Sequence, residues 1–362
     1  MTQHTRGRVA IISRESDSKT LDIAMLEAEL RKRGINVKVL NKLLTKEKSM
    51  KMLGYAGHIL KQEAAILDSD VVVLDTYCIP VSMIPHRRGT KVIQMWHALG
   101  AIKKFGWQTV GMEGGSSEKT ARIMKMHKGY DYVVSASDIT ADHYCEAFGI
   151  DRGKIIKYGL PRIDYIKSVA TGERRADVRR RILSAYPELA SADKRTILYA
   201  PTFRHGKAVD VEGLAKKIDT VCNTLVVKLH PLYRGDAKTA GGVIYDERFT
   251  SYEWLSVADV VISDYSSFVI EASLAEKPLY IYAYDLDEYA ESTGLNVDYY
   301  EEPIAEYVFK DADSLSEQLS REYDLDALRA FRERYIDIET GDPDEGRCTS
   351  ELADFIESIM NP

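Results

Sequence analysis

A chain of 362 residues, 45% hydrophobic and 29% charged, has the make-up of a globular protein of about two domains. No stretch reaches the roughly 18 apolar residues of a membrane span, and the opening Met1-Thr2-Gln3-His4-Thr5-Arg6 has no apolar core, so neither a spanning helix nor a secretory signal is expected. The net charge of −7 divides unevenly: residues 1–170 hold 27 Lys and Arg against 18 Asp and Glu, a balance of +9, which leaves −16 for the remainder.

A basic half on an acidic protein points to a polyanionic partner, such as nucleic acid, an anionic membrane surface or a phosphate polymer. The four cysteines (Cys78, Cys145, Cys222, Cys348) lie far apart without metal-type spacing, which argues against structural zinc and reads as small packing residues in a reducing compartment.

In chain order, Arg8–Ile12 reads as a buried strand, Leu21–Arg33 as an amphipathic helix stopped by Gly34, and Ile35–Leu40 as the next strand, which is the opening of a parallel sheet. Asp70–Leu74, Lys91–Met95 and Tyr132–Ser135 continue it. No GxGxxG follows the first strand, so a dinucleotide site of that type lacks its main support. Two Lys-rich stretches, Asn41–Gln62 (with Lys42, Lys46, Lys48, Lys51 and Lys61) and Glu118–Lys128, mix apolar and basic residues as a helix lying on a membrane would.

The Arg- and Glu-rich segment Ala170–Lys194, with a helix-like Asp177–Leu183, reads as a boundary. The pattern then restarts with Arg195–Ala200, Thr224–Leu229, Asp259–Ser263 and Leu279–Tyr282 as strands. The expected fold class is α/β, with two Rossmann-like domains whose parallel sheets face one another across a cleft. The expected division is residues 1–170, 171–345 and a last helix over 346–362.

Chemistry-bearing groups collect at the carboxyl ends of these strands, where open α/β sheets bind ligands. His97 follows the strand ending at Met95; Thr202 and Arg204 follow Ala200; Lys228 and His230 close the strand Thr224–Leu229; and Asp264, Ser266 and Ser267 follow Ser263. Ser266 or Ser267 is placed to cap a helix over the apolar run that contains Glu271. Its unpaired amides, with two hydroxyls beside them, would seat a phosphate. Asp285-Leu286-Asp287 has metal-type spacing but reads as a solvated loop pair, and no metal is expected.

In their order, Trp96-His97, Tyr199-Ala200-Pro201-Thr202-Phe203-Arg204, Lys228-Leu229-His230-Pro231 and Ser263-Asp264-Tyr265-Ser266-Ser267 resemble the CDP-glycerol glycerophosphotransferase family, the teichoic acid and capsule polyol-phosphate transferases, over about residues 90–350. The resemblance implies a two-domain GT-B fold and transfer of a polyol phosphate from CDP-glycerol or CDP-ribitol to a hydroxyl of a lipid-linked or polymeric acceptor, with release of CMP. It also implies no cofactor, no nucleic-acid partner, and work in the cytoplasm, peripheral to the inner face of the membrane. His97 matches the family's acceptor-side histidine, with Trp96, Gly100, Lys103 and Lys104 around it. His230 matches the histidine that meets the donor pyrophosphate, joined on the donor side by Thr202, Arg204, Lys228, Asp264, Ser266, Ser267 and Glu271. Ala98 and Ile304 stand where many members carry Gly, and the tail Gly341–Thr349 resembles the family's turn before a last helix that crosses back to the first domain.

In such a transfer the acceptor hydroxyl attacks the β-phosphorus in line with departing CMP. Catalysis is then positioning, charge stabilisation and removal of one proton, which His97 can accept near neutral pH. CMP leaves as a monoester with a second pKa of roughly 6, so His230 serves by stabilising charge, with Arg204 as a bidentate phosphate partner. Two other readings stay open on the residues alone: a GT-B glycosyltransferase using a UDP- or GDP-sugar, and a non-catalytic polyanion-binding protein.

Overall fold

The structure is a computed structural model that describes residues 7–44, 52–112, 115–202, 204, 209–229 and 242–360, the side chains of 52–55 excepted. His230 therefore lies outside the described residues, as do Phe203, Pro231, Lys46, Lys48 and Lys51.

Twelve parallel strands are found among the described residues, in two sheets of six. The first sheet holds β1 (Arg8–Ser13), β2 (Asn36–Asn41), β3 (Val71–Leu74), β4 (Lys91–Gln94), β5 (Tyr132–Ser135) and β6 (Ile155–Lys157), in the order β2-β1-β3-β4-β5-β6. The second holds β7 (Arg195–Tyr199), β8 (Asn223–Val227), β9 (Val243–Tyr245), β10 (Val260–Ser263), β11 (Leu279–Tyr282) and β12 (Val308–Phe309), in the order β12-β11-β10-β7-β8-β9. The central strands are buried along nearly their whole length, and β3, Val71-Val72-Val73-Leu74, at every residue. A parallel sheet covered on both faces selects such unbroken β-branched runs.

The chain forms two compact units: Met1–Asp164 with Ile336–Gly341 and Glu345–Pro362, and Tyr165–Tyr335 with Asp342–Asp344. In the first unit the helix Leu21–Lys32 turns Ile23, Leu26 and Leu30 inward. The closing helix Arg347–Met360 packs on it through Cys348, Leu352, Ala353 and Ile356, all buried. Arg33 ties the two together, donating to Ser350 O at 3.0 Å and pairing with Asp354. The start of the closing helix is held by Asp164, whose carboxylate accepts from the amides of Cys348 at 3.1 Å and Thr349 at 2.8 Å. Nearby, the buried pair Asp22 and Arg162 fixes the helix Pro161–Ala170, with Arg162 N donating to Asp22 Oδ1 at 2.7 Å.

Three expectations need correction. The stretch Glu118–Lys128 is not one amphipathic helix: helix runs only Glu118–Ile123, and the chain then turns with Lys125 at φ 46, His127 at φ 60 and Gly129 at φ 97. The turn carries buried His127 against Tyr130, Nδ1 to OH at 2.9 Å. Cys222 is exposed and so is not a packing residue, unlike buried Cys78 and Cys348. Asp285 is not solvated, for reasons given with the site below.

Candidate active site

The carboxyl ends of β1, β3 and β4, neighbours in the first sheet, converge on one histidine. Gln94, the fully buried end of β4, uses its side chain twice. Its Nε2 donates to Thr76 O at 3.1 Å, and its Oε1 accepts from Trp96 N at 2.8 Å. This grip holds Trp96 at φ 60, a left-handed conformation uncommon for a non-glycine residue and often found where a side chain must be aimed. Trp96 stacks on Phe105 with centroids 4.6 Å apart and meets the edge of Phe148 at 5.2 Å, so it is anchored in the unit's aromatic core.

His97 comes next, half-buried, with its ring 4.2 Å from that of Trp96. Its Nδ1 lies 3.0 Å from the carbonyl oxygen of Asp75, the residue after β3. A carbonyl only accepts, so Nδ1 carries the proton and the neutral ring presents Nε2 as a base. The Asp75 side chain is buried, accepts from Ser13 Oγ at 2.9 Å through Oδ2, and leaves Oδ1 without a hydrogen-bond partner. Burial above all pushes its carboxyl up to about 6, helped by Glu15 and opposed by Ser13, His97 and Thr76. Gly100 is buried in the loop that follows, Lys103 is half-buried and Lys104 is exposed.

In the second unit Thr202, Arg204 and Asp264, three of the expected donor-side residues, meet at the edge formed by β7 and β10. The Arg204 side chain is only 3% exposed, and its guanidinium is taken up by protein. Nε and Nη2 make a bidentate pair with Asp285 at 2.8 Å each, while Nη1 donates to Asp264 Oδ2 at 2.7 Å and to Thr202 O at 2.8 Å. Tyr265, Tyr284 and Tyr289 present ring faces to it at 5.2 to 5.6 Å. The same Asp264 accepts from Thr202 N at 2.9 Å. Arg204 thus locks the Thr202 and Asp264 loops together through two carboxylates, and this is why Asp285 is half-buried and paired rather than solvated. Although burial raises the carboxyl of Asp285, the bonds from Arg204 outweigh it and hold it below the usual carboxylate value.

Lys228 is held by Asp246, donating to its carbonyl at 3.0 Å and lying 3.3 Å from its carboxylate. Of the two serines, Ser266 caps: its Oγ accepts from Phe268 N at 3.2 Å, whereas Ser267 is already helical at φ −57 and its side chain makes no cap bond. The helix they open, Phe268–Ser273, buries Glu271, whose carboxylate accepts from Tyr252 OH at 2.8 Å. Sequence reasoning missed Asp75 and Asp285. Asp75 carried a legible signal, a carboxylate directly after a four-residue apolar strand at the edge already singled out.

Among the described residues no cluster of His, Cys, Asp and Glu could hold a metal ion. Comparison with known proteins places these residues in context. The chain is 31% identical over 335 residues to a teichoic acid ribitol-phosphate primase of Bacillus spizizenii, covering 88% of this chain and 83% of that protein. It is 29% identical over 315 residues to a teichoic acid glycerol-phosphate primase of Bacillus subtilis, covering 84% and 77%. A solved variant of the wall teichoic acid polymerase TagF shares the fold, with a TM-score of 0.73 at 18% identity over 98% of this chain and 89% of that one. The signature of the CDP-glycerol:poly(glycerophosphate) glycerophosphotransferases matches residues 2–356, and the chain belongs to that family.

Proposed function

We propose that His97 is the general base of a polyol-phosphate transfer in which the second unit's loops hold the CDP-polyol. The transfer itself follows from the family: the chain moves a polyol phosphate from a CDP-polyol in teichoic acid synthesis. The observation that carries the role of His97 is its hydrogen bond to the Asp75 carbonyl, which leaves Nε2 open to the acceptor hydroxyl. As the hydroxyl attacks phosphorus, its proton passes to Nε2, and the buried Asp75 carboxyl, ionised above about pH 6, favours the imidazolium that forms.

On the donor side, Ser266, Ser267, Lys228 and His230 are the proposed pyrophosphate contacts. Arg204, Asp264 and Thr202 act by keeping the loops in register. Glu271, a buried carboxylate, repels phosphate and suits hydroxyl donors such as those of a ribose. The acceptor is proposed to be a lipid-linked or polymeric chain met at an anionic membrane surface on the cytoplasmic side. On the helix Met52–Leu67, Leu60 is 71% and Leu67 51% exposed beside exposed Lys61, which supports such docking. No helix among the described residues is long and apolar enough to cross a membrane.

CMP release from CDP-glycerol and CDP-ribitol with a lipid-linked acceptor tests the reading, alongside UDP- and GDP-sugars. His97→Asn is expected to lower transfer by about 100-fold or more with donor affinity changed less than about twofold. Equal loss of donor affinity and rate would remove His97 from the acceptor side.

A further inference from the structure

Next to His97 lies a cavity of 330 Å³ whose walls include Arg14, Tyr77, Trp96, Phe105, Met124 and His127. Its volume falls within the range of ordinary small-molecule sites. The surface is polar and apolar in about equal parts, with aromatic and methionine side chains beside the hydroxyls of Thr109, Ser116 and Thr120, and no carboxylate among the described residues lines it. His127 is buried and pushed down to about 3, so it is neutral at working pH. Among the described residues of its wall, Arg14 therefore brings the one formal charge.

Arg14 follows β1, so it occupies the same sheet edge as Asp75 and His97. Its backbone is pinned on both sides, N donating to Thr76 Oγ1 at 3.1 Å and O accepting from Leu44 N at 3.1 Å. Its guanidinium lies over the ring of Tyr77, 5.2 Å from the centroid, and Tyr77 is held in turn by its OH donating to Met124 O at 2.6 Å. No carboxylate among the described residues pairs with Arg14, in contrast to buried Arg162 and Arg204. A half-buried guanidinium held over an aromatic face and left without a counter-charge is a receptor for an anion.

We propose that this cavity binds a phosphodiester of the acceptor, with Arg14 on the phosphate and the attached polyol against the aromatic wall. The proposal rests on the transferase reading and adds a subsite to it. One cation matches the single negative charge of a phosphodiester, whereas the pyrophosphate of a CDP-polyol carries more. The cavity is therefore selective for acceptor over donor. Trp96 is shared by both places, in the cavity wall and against His97. A chain seated by its last phosphodiester would thus deliver its terminal hydroxyl to Nε2.

The test is steady-state transfer by Arg14→Gln and Arg14→Lys. With a phosphodiester-bearing acceptor, Arg14→Gln is expected to raise the acceptor KM about 10- to 100-fold, the weight of a charge-assisted bond. The KM for CDP-polyol should move less than about twofold, with partial recovery in Arg14→Lys. An acceptor without a phosphodiester should not tell the variants from wild type. Independently of how the variants fold, glycerol-phosphoryl-glycerol should inhibit wild type competitively against the acceptor, and an uncharged triglycerol should not. An unchanged acceptor KM in Arg14→Gln, equal inhibition by the two compounds, or loss of phosphatidylglycerol-vesicle binding with no change in KM would overturn the subsite, the last by assigning the cavity to a lipid headgroup. Wild type that releases no CMP from either CDP-polyol would instead overturn the transferase reading.

Discussion

At the scale of single residues, Asp75 and Arg204 show burial used in opposite ways. The carboxyl of Asp75 ionises at about 6 in the folded chain against an ordinary value of 3.8, so above pH 6 the fold carries a buried charge it would be more stable without. Stability from this group is therefore fully present below about pH 4 and lost as pH rises through 6. Asp75→Asn should raise stability at pH 7.5 by about 2 to 3 kcal/mol, little at pH 4, while slowing transfer about tenfold because the imidazolium loses its counter-charge. Thermal melts at the two pH values and a pH–rate profile check this; a variant as fast as wild type would leave Asp75 with only a structural part. Arg204 is the reverse case, a charge that two carboxylates need. Arg204→Ala should cost about 3 to 5 kcal/mol at pH 7 by stranding Asp264 and Asp285. Asp285 titrates below its unfolded value of 3.8, so its share of that gap is complete above pH 4 and closes as the solution becomes more acidic. Urea unfolding at pH 7 and pH 3 measures the difference. A loss of donor affinity with unchanged stability would return Arg204 to direct phosphate binding.

At the scale of elements, nine of the twelve strands were legible because each is four residues or longer and most are buried at every residue or at all but one. Those missed are β6, β9 and β12, with three, three and two residues, at edges of the two sheets. A run as short as Val243-Ile244-Tyr245 is apolar but only half-buried and too brief to stand out from a turn. The candidate site was legible as a set of strand ends, since that rule needs only strand positions. Partners such as Asp285 were not, because 81 residues separate it from Arg204 and no local spacing reports a long-range ion pair. The Lys-rich stretch misread as a helix fails at Met124–Gly129, where burial of His127 overrides helix propensity. The closing helix Arg347–Met360 carries the firmest expectation at this scale. Leu352 is fully buried, and Leu352→Ala should cost about 2 to 5 kcal/mol of the first unit's stability. Differential scanning calorimetry would follow the loss, and an unshifted transition would mean that the helix is not integral to that unit.

At the scale of the whole molecule, the uneven charge of the sequence is softened by folding. The first unit takes in Ile336–Gly341 and Glu345–Pro362, which bring six acidic residues and one arginine, so it holds 27 Lys and Arg against 24 Asp and Glu, a surplus of +3. Any attraction to an anionic surface must then come from local groups such as Lys61 and Lys42 rather than from the unit's total charge. The division also bears on biosynthesis. Asp164 waits for partners that sit 184 and 185 positions further along the chain. A ribosome therefore delivers every strand of the first sheet, and then the entire second unit, before the first can receive its last helix. The middle segment can mature while its predecessor is still incomplete. The second unit can thus be completed before the first, and a message truncated before Arg347 would leave His97 on a sheet with the face of Leu21–Lys32 uncovered.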